Sequence, residues 1–158
     1  MIDLPSGVTL VTFTKAKIYD LWEKFRGLDK MFGDEVRGNI ETFAANLMKP
    51  NSITVEIDGG LLHLDNIKIG NRAEVHMSIW DKHLSEKTNV IKDLLLCAFL
   101  AYDLKRIETF LMDISHAVKR FVEKKLGFTF EGRLRKRVSY KGELIDQLVY
   151  SILREEVI

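Results

Sequence analysis

Glu74, His76 and Ser78 stand at two-residue spacing within Ala73-Glu-Val-His-Met-Ser-Ile-Trp80. In an extended strand residues i and i+2 share a face, so this spacing presents a carboxylate, an imidazole and a hydroxyl side by side. The combination suits general-base chemistry. Glu74 or His76 takes a proton from a substrate group, directly or through water, and an imidazole titrates near neutral pH. Val75, Met77 and Ile79 alternate with them and become core if a helix covers that side. A second imidazole, His116, heads a stretch of helical periodicity, where it can donate a proton or a hydrogen bond. His63 and His83 complete the four histidines, which show no His-x-x-x-His or cysteine-paired spacing. No metal site is expected from them.

The elements that must hold these groups follow from the periodicity. Residues 8–13 read as a first strand, and Thr14 as the N-cap of a helix carrying Ile18, Leu21, Trp22 and Phe25 on one face. A second helix is predicted over residues 34–48, with Val36, Ile40, Phe43, Ala44 and Leu47 as its apolar stripe. The period then changes. Residues 53–57, 61–69 and 73–80 form an antiparallel meander, broken at Asp58-Gly-Gly60 and Gly70-Asn71. Residues 90–102 are an apolar helix, residues 106–112 a strand, and residues 116–126 a helix with lysines in its last turn, where the dipole favours cations. Gly127 ends that helix, because it can take the left-handed conformation without a Cβ penalty. Residues 128–140 and 143–153 form a long hairpin around Lys141-Gly142. The order is β-α-α-β-β-β-α-β-α-β-β, a mixed α/β domain with about seven strands and about four helices, the crossover helix requiring a parallel pair in mid-sheet.

Composition bounds the function classes. A chain of 158 residues, 46% of them hydrophobic, is one domain with a sizeable core, spanning residues 1–158. Its 24 Lys and Arg against 23 Asp and Glu give a formal charge of +1, which provides no general attraction to nucleic acid or acidic membranes. The single cysteine, Cys97, lies in an apolar run and reads as a buried, unreactive thiol in a reducing compartment. No leader peptide and no apolar stretch near spanning length is present, so a cytoplasmic protein is expected. Arg133, Arg135 and Arg137 alternate along one strand face and read as solvated rather than as a nucleic-acid stripe.

The run Phe121-Val-Glu-Lys-Lys-Leu-Gly-Phe128, then Glu131-Gly-Arg-Leu-Arg135, then a Lys141-Gly142 turn leading to Asp146, resembles the end of an acetyltransferase of the GNAT superfamily, nearest its ribosomal-protein branch. The order of elements resembles that family across nearly the whole chain. The resemblance implies a GNAT-like fold, acetyl-CoA as co-substrate and transfer of its acetyl group to a primary amine. The expected partners are an amine acceptor and, in a homodimer, a second copy of the chain.

By resemblance, the strands at residues 73–80 and 106–112 separate to admit the pantetheine arm of acetyl-CoA along Met77 and Ile79. The loop before the crossover helix would hold the pyrophosphate. It falls on Lys82, Ser85, Lys87 and Thr88, where the family's glycines are missing and N-capping residues and lysines stand instead. His116 and Glu123 occupy the positions where many members carry an Asn that touches the cofactor and a Tyr that protonates the leaving thiolate. The alternative implied by these departures is a degenerate relative that serves as a binding or assembly module, as some phage-encoded members do.

Overall fold

The computed structural model describes residues 3–26, 28, 32–80 and 83–158. Strand β1 (Thr9–Leu10) leads to helix α1 (Lys15–Phe25). Thr14 caps it, its hydroxyl accepting the Lys17 N–H at 3.1 Å, and Ile18, Leu21 and Phe25 fall on one buried face. The expected strand over residues 8–13 is shorter: Thr9 and Leu10 pair with Glu56 and Val55, and the Val11 N–H adds a bond to the Thr54 carbonyl at 2.9 Å. Helix α2 (Ile40–Leu47) begins later than its apolar period suggests. Asn39 is its N-cap, accepting the Thr42 N–H at 3.1 Å, and the residues before it are held in turns by a distant hairpin.

Strands β2 (Ile53–Ile57), β3 (Gly60–Lys68) and β4 (Arg72–Ile79) form the meander. A 3-10 turn, Leu84–Lys87, runs into helix α3 (Thr88–Ala101), which crosses over to strand β5 (Arg106–Met112). Helix α4 (His116–Arg120) widens into a π-helical turn, Phe121–Lys125, in which the Leu126 N–H reaches back to the Phe121 carbonyl at 3.0 Å. Gly127, at φ +81°, then turns the chain into strand β6 (Thr129–Tyr140), which pairs with strand β7 (Glu143–Leu153). The observed order of elements is the one the sequence predicts.

The seven strands form one sheet in the order β1-β2-β3-β4-β5-β7-β6. Every neighbouring pair is antiparallel except β4 and β5. Helices α3 and α4 cover one face, burying Ile91, Leu95, Phe99 and Phe121 against Leu62, Val75, Ile107 and Leu148. On the other face α1 and α2 set Leu21, Phe25, Phe43 and Leu47 on Leu61, with Trp22, Phe32 and Trp80 at the margin. Each such side chain contributes about 1.5–3 kcal/mol on leaving water, so both helix layers are fixed to the sheet and the strands between them are rigid supports. No helix among the described residues is long and apolar enough to cross a membrane.

Candidate functional site

The site begins where the parallel pair stops. Arg72, Ala73 and Glu74 of β4 face Arg106, Ile107 and Glu108 of β5, and the described pairing between these strands ends there. The Thr109 hydroxyl donates to the Val75 carbonyl at 2.8 Å and closes the seam. Beyond it, β4 stays with β3 as far as Ile79 and β5 stays with β7 as far as Met112. Each strand follows its own antiparallel neighbour, so a gap opens between residues 75–79 and residues 109–112. The backbone groups lining it are available to an extended ligand.

The alternation along β4 divides this gap chemically. Met77 and Ile79 pack toward the α3 core, beside buried Val75. Glu74 and His76 lie on the opposite face, so the sequence-derived division of the strand holds. There β3 brings two further groups the sequence did not single out. His63 stands across from His76 and Asp65 across from Glu74, which makes a two-by-two array of imidazoles and carboxylates. His76 Nε2 is 3.9 Å from both Asp65 Oδ2 and Glu74 Oε2. The His76 side chain keeps 43% of its surface exposed. Burial lowers its pKa from 6.5 against the opposing pull of Asp65 and Glu74. His63 is buried, its Nδ1 at 2.7 Å from the Thr54 hydroxyl, and burial followed by the proximity of His76 pushes its pKa down to about 4. Both rings are therefore neutral at pH 7, and His76 is the accessible base.

Flanking charges are already matched. Arg106 bonds Glu108 at 2.9 Å and also holds Glu131, while Arg72 lies 3.4 Å from Glu108. Lys49, half exposed, is 3.6 Å from Asp65. The expected arginine stripe on β6 is interrupted by a bulge between Leu134 and Val138. Arg133 is drawn instead to Asp113 and Asp146.

The start of α3 departs from the predicted phosphate cradle. Lys82 lies outside the described residues. Thr88 donates its hydroxyl to the Ser85 carbonyl at 2.7 Å, bringing these two together. Lys87 is instead 7% exposed and stretched toward Asp58 in the β2–β3 turn, at 3.9 Å. Its stem packs on the protein. Neither the 3-10 turn nor α3 has a side-chain cap; the turn runs straight into the helix, the Glu86 N–H donating to the His83 carbonyl and the Thr88 N–H to the Ser85 carbonyl.

His116 is exposed at the first position of α4, just past the end of β5, with Ser115 capping the helix at 3.3 Å. It is placed at the mouth of the gap and apart from the four-residue array. Glu123 accepts the Tyr150 hydroxyl at 2.8 Å and so faces β7, on the far side of β5 from the gap. Burial and then Glu123 push the Tyr150 phenol up to about 12. Glu123 is thus a structural partner of a buried phenol.

Two other features frame the site. Asp34, in the α1–α2 connection, accepts the Lys141 and Gly142 N–H groups at 2.7 and 2.9 Å, which ties that connection to the tip of the β6–β7 hairpin. An apolar cavity of about 360 Å³ lies under α3, lined by Ile53, Leu64, Val75, Leu94, Cys97 and Tyr102. Cys97 is half-buried there rather than sealed in the core as expected.

No family model and no curated protein matches the chain. Solved structures do. A probable acetyltransferase superposes with a TM-score of 0.72 at 21% identity, covering 98% of this chain and 97% of its own. A chimera of the Vibrio cholerae spermidine N-acetyltransferase SpeG with hSSAT gives 0.72 at 19% identity, over 96% and 98%. The microcin self-immunity acetyltransferase MccE, solved with acetyl-CoA and AMP, gives 0.71 at 18% identity, over 94% and 93%. With its parted parallel strands and its crossover helix α3, the chain has the GNAT acyl-CoA N-acyltransferase fold.

Proposed function

We propose that this protein transfers the acetyl group of acetyl-CoA to an amine, with the co-substrate in the gap between β4 and β5 and the amine arriving from the α1–α2 face. The observation that carries the reading is the parting of the strands after Glu74 and Glu108, with a neutral, accessible His76 on the first outward-facing position beyond it. Beyond the Thr109–Val75 bond, the inner edges of residues 76–79 and 110–112 fit an extended, amide-bearing arm such as pantetheine. Acetyl-CoA supplies the activated thioester. His76, oriented between Asp65 and Glu74, takes the proton that the amine nitrogen loses as its bond to the acetyl carbon forms and the carbon–sulfur bond breaks. The Asp65 and Glu74 carboxylates favour a cationic acceptor, so polyamines such as spermidine join protein N-termini and lysine peptides in the test panel. Rigid strands hold both partners in position, which itself accelerates a bimolecular reaction.

A second reading, a binding module without transfer, is favoured by the start of α3, where no glycine exposes the backbone. Titration with acetyl-CoA separates the two. At one hundred times its dissociation constant a ligand stabilises the native state by about 2.7 kcal/mol. A rise in melting temperature together with thiol release in the presence of the amine panel supports the enzyme. A flat response to millimolar acetyl-CoA, with no thiol release, supports the module.

A further inference from the structure

Asp65, Glu74 and His76 each offer one donor atom, and the three atoms lie within 4.8 Å of one another. We infer that this array is a divalent metal site of the zinc class, with its fourth position open. Zinc holds imidazole nitrogen and carboxylate oxygen at about 2.0–2.2 Å in a tetrahedron, which places neighbouring donors about 3.4 Å apart. The two distances from His76 Nε2, 3.9 Å each, exceed that by roughly half an ångström, a difference that small side-chain rotations remove. Two carboxylates and an imidazole with an open side form a donor set suited to borderline transition metals.

His63 supplies an independent observation. It is 4% exposed, and its Nε2 has no hydrogen-bond partner among the described residues. An unpaired nitrogen at that depth costs stability unless something meets it. Its Nδ1 is engaged by Thr54 on the β2 side. The His76 ring lies beside it across the β3–β4 register. The rings are 6.0 Å apart between centroids. Chain-order spacing does not reveal this set, because its donors come from two strands and meet only through the β3–β4 register.

Lys49 is the cation now nearest the site, 3.6 Å from Asp65 and half exposed. A metal would displace it at little cost, since an exposed ion pair contributes little. The Asn66 side chain, 3.3 Å from Glu74, holds the second carboxylate in place.

The test uses zinc alone on the full chain, read by calorimetry and melting temperature, and cobalt(II) as a spectroscopic probe of the ligands. One ion per chain is expected, with d–d bands of a low-coordinate site. Glu74→Gln and His76→Ala should each weaken binding tenfold or more, and Lys49→Ala should tighten it severalfold. No heat and no melting shift with zinc overturns the site, as does binding unchanged in Glu74→Gln and His76→Ala, which would place the ion elsewhere, for example at His83 and Glu86. Should the wild type respond to a polyamine and not to zinc, the array is an ammonium subsite instead. Zinc should also inhibit acetyl transfer by occupying the His76 lone pair, reversibly with chelator. That last expectation alone rests on the acetyltransferase reading, so a chain that binds zinc but transfers no acetyl group removes that reading and leaves the metal site standing.

Discussion

Asp34 and Ser139 are joined by two hydrogen bonds of 2.8 Å across 105 residues of chain, the Asp34 N–H donating to the Ser139 carbonyl and the Ser139 hydroxyl donating to the Asp34 carboxylate. With the Lys141 and Gly142 amides also on that carboxylate, one side chain fixes the α1–α2 connection against the β6–β7 turn. The contact is close: a Cβ on neighbouring Gly33 would lie 3.0 Å from Val138 Cγ1.

Asp34→Ala should therefore lower the melting temperature and raise the KM for the amine more than that for acetyl-CoA. The Gly142 amide, then the Ser139 hydroxyl, hold this carboxyl below its usual 3.8. A group with a depressed folded-state pKa stabilises the protein above its unfolded value and loses that contribution as pH falls through the folded one. The difference in melting temperature between wild type and Asp34→Ala should thus be full at pH 6 and shrink as pH falls below 3.8. A difference that does not change over this range would show that the charge plays no part.

His76→Ala should reduce kcat/KM by about 10²-fold or more, the usual contribution of a general base, with little change in stability because the ring is partly exposed. Its pKa is lowered from 6.5 by burial, so the base is already unprotonated at neutral pH. The acid limb of the wild-type rate profile should lie below pH 6.5, and any rise above it reports the amine. His116→Ala, by contrast, should act on acetyl-CoA affinity without moving the acid limb. An acid limb that persists in His76→Ala would transfer the role to Glu74, which Glu74→Gln then tests.

Gly127→Val should cost on the order of 1–2 kcal/mol, read from the denaturation midpoint. A Cβ at this position would meet nothing within 4 Å, and φ is +81°, so the cost is backbone strain alone. Gly127→Asn, which tolerates that region better, should recover most of it.

Tyr150→Phe should lose about 1 kcal/mol, because the hydroxyl that Glu123 accepts is removed. In the wild type this phenol should titrate last, near 12, by its ultraviolet absorbance. Its folded pKa is raised, so the stabilisation is complete below the unfolded value of 10 and declines as pH rises through 12.

Much of this architecture is legible in local chemistry. Thr14 caps α1, Gly127 ends the fourth helical segment, and the shift of apolar period after α2 marks the meander. Each signal is confined to a few neighbouring residues. The face shared by Glu74 and His76 is legible for the same reason. What escapes the sequence depends on partners far along the chain. Residues 34–39 carry helical periodicity but are held by Ser139, Lys141 and Gly142. Lys87 reads as a phosphate ligand until Asp58 is seen beside it. His63 and Asp65 look like ordinary strand residues until β4 brings His76 and Glu74 opposite them. The widened turn at Phe121–Lys125 has no local signature, and it redirects Glu123 to Tyr150.

The bond between Asp34 and Ser139 also bears on the order in which the chain folds. During synthesis the α1–α2 connection leaves the ribosome long before the β6–β7 turn exists, so the Asp34 carboxylate waits for the hydroxyl and amides that bind it. Closing so long a loop is entropically costly and slow. The wall it completes over the amine-facing side should therefore form last, after the meander and the crossover have assembled. A chain truncated before Ser139 should retain native-like meander contacts while leaving residues 32–37 unprotected in hydrogen exchange.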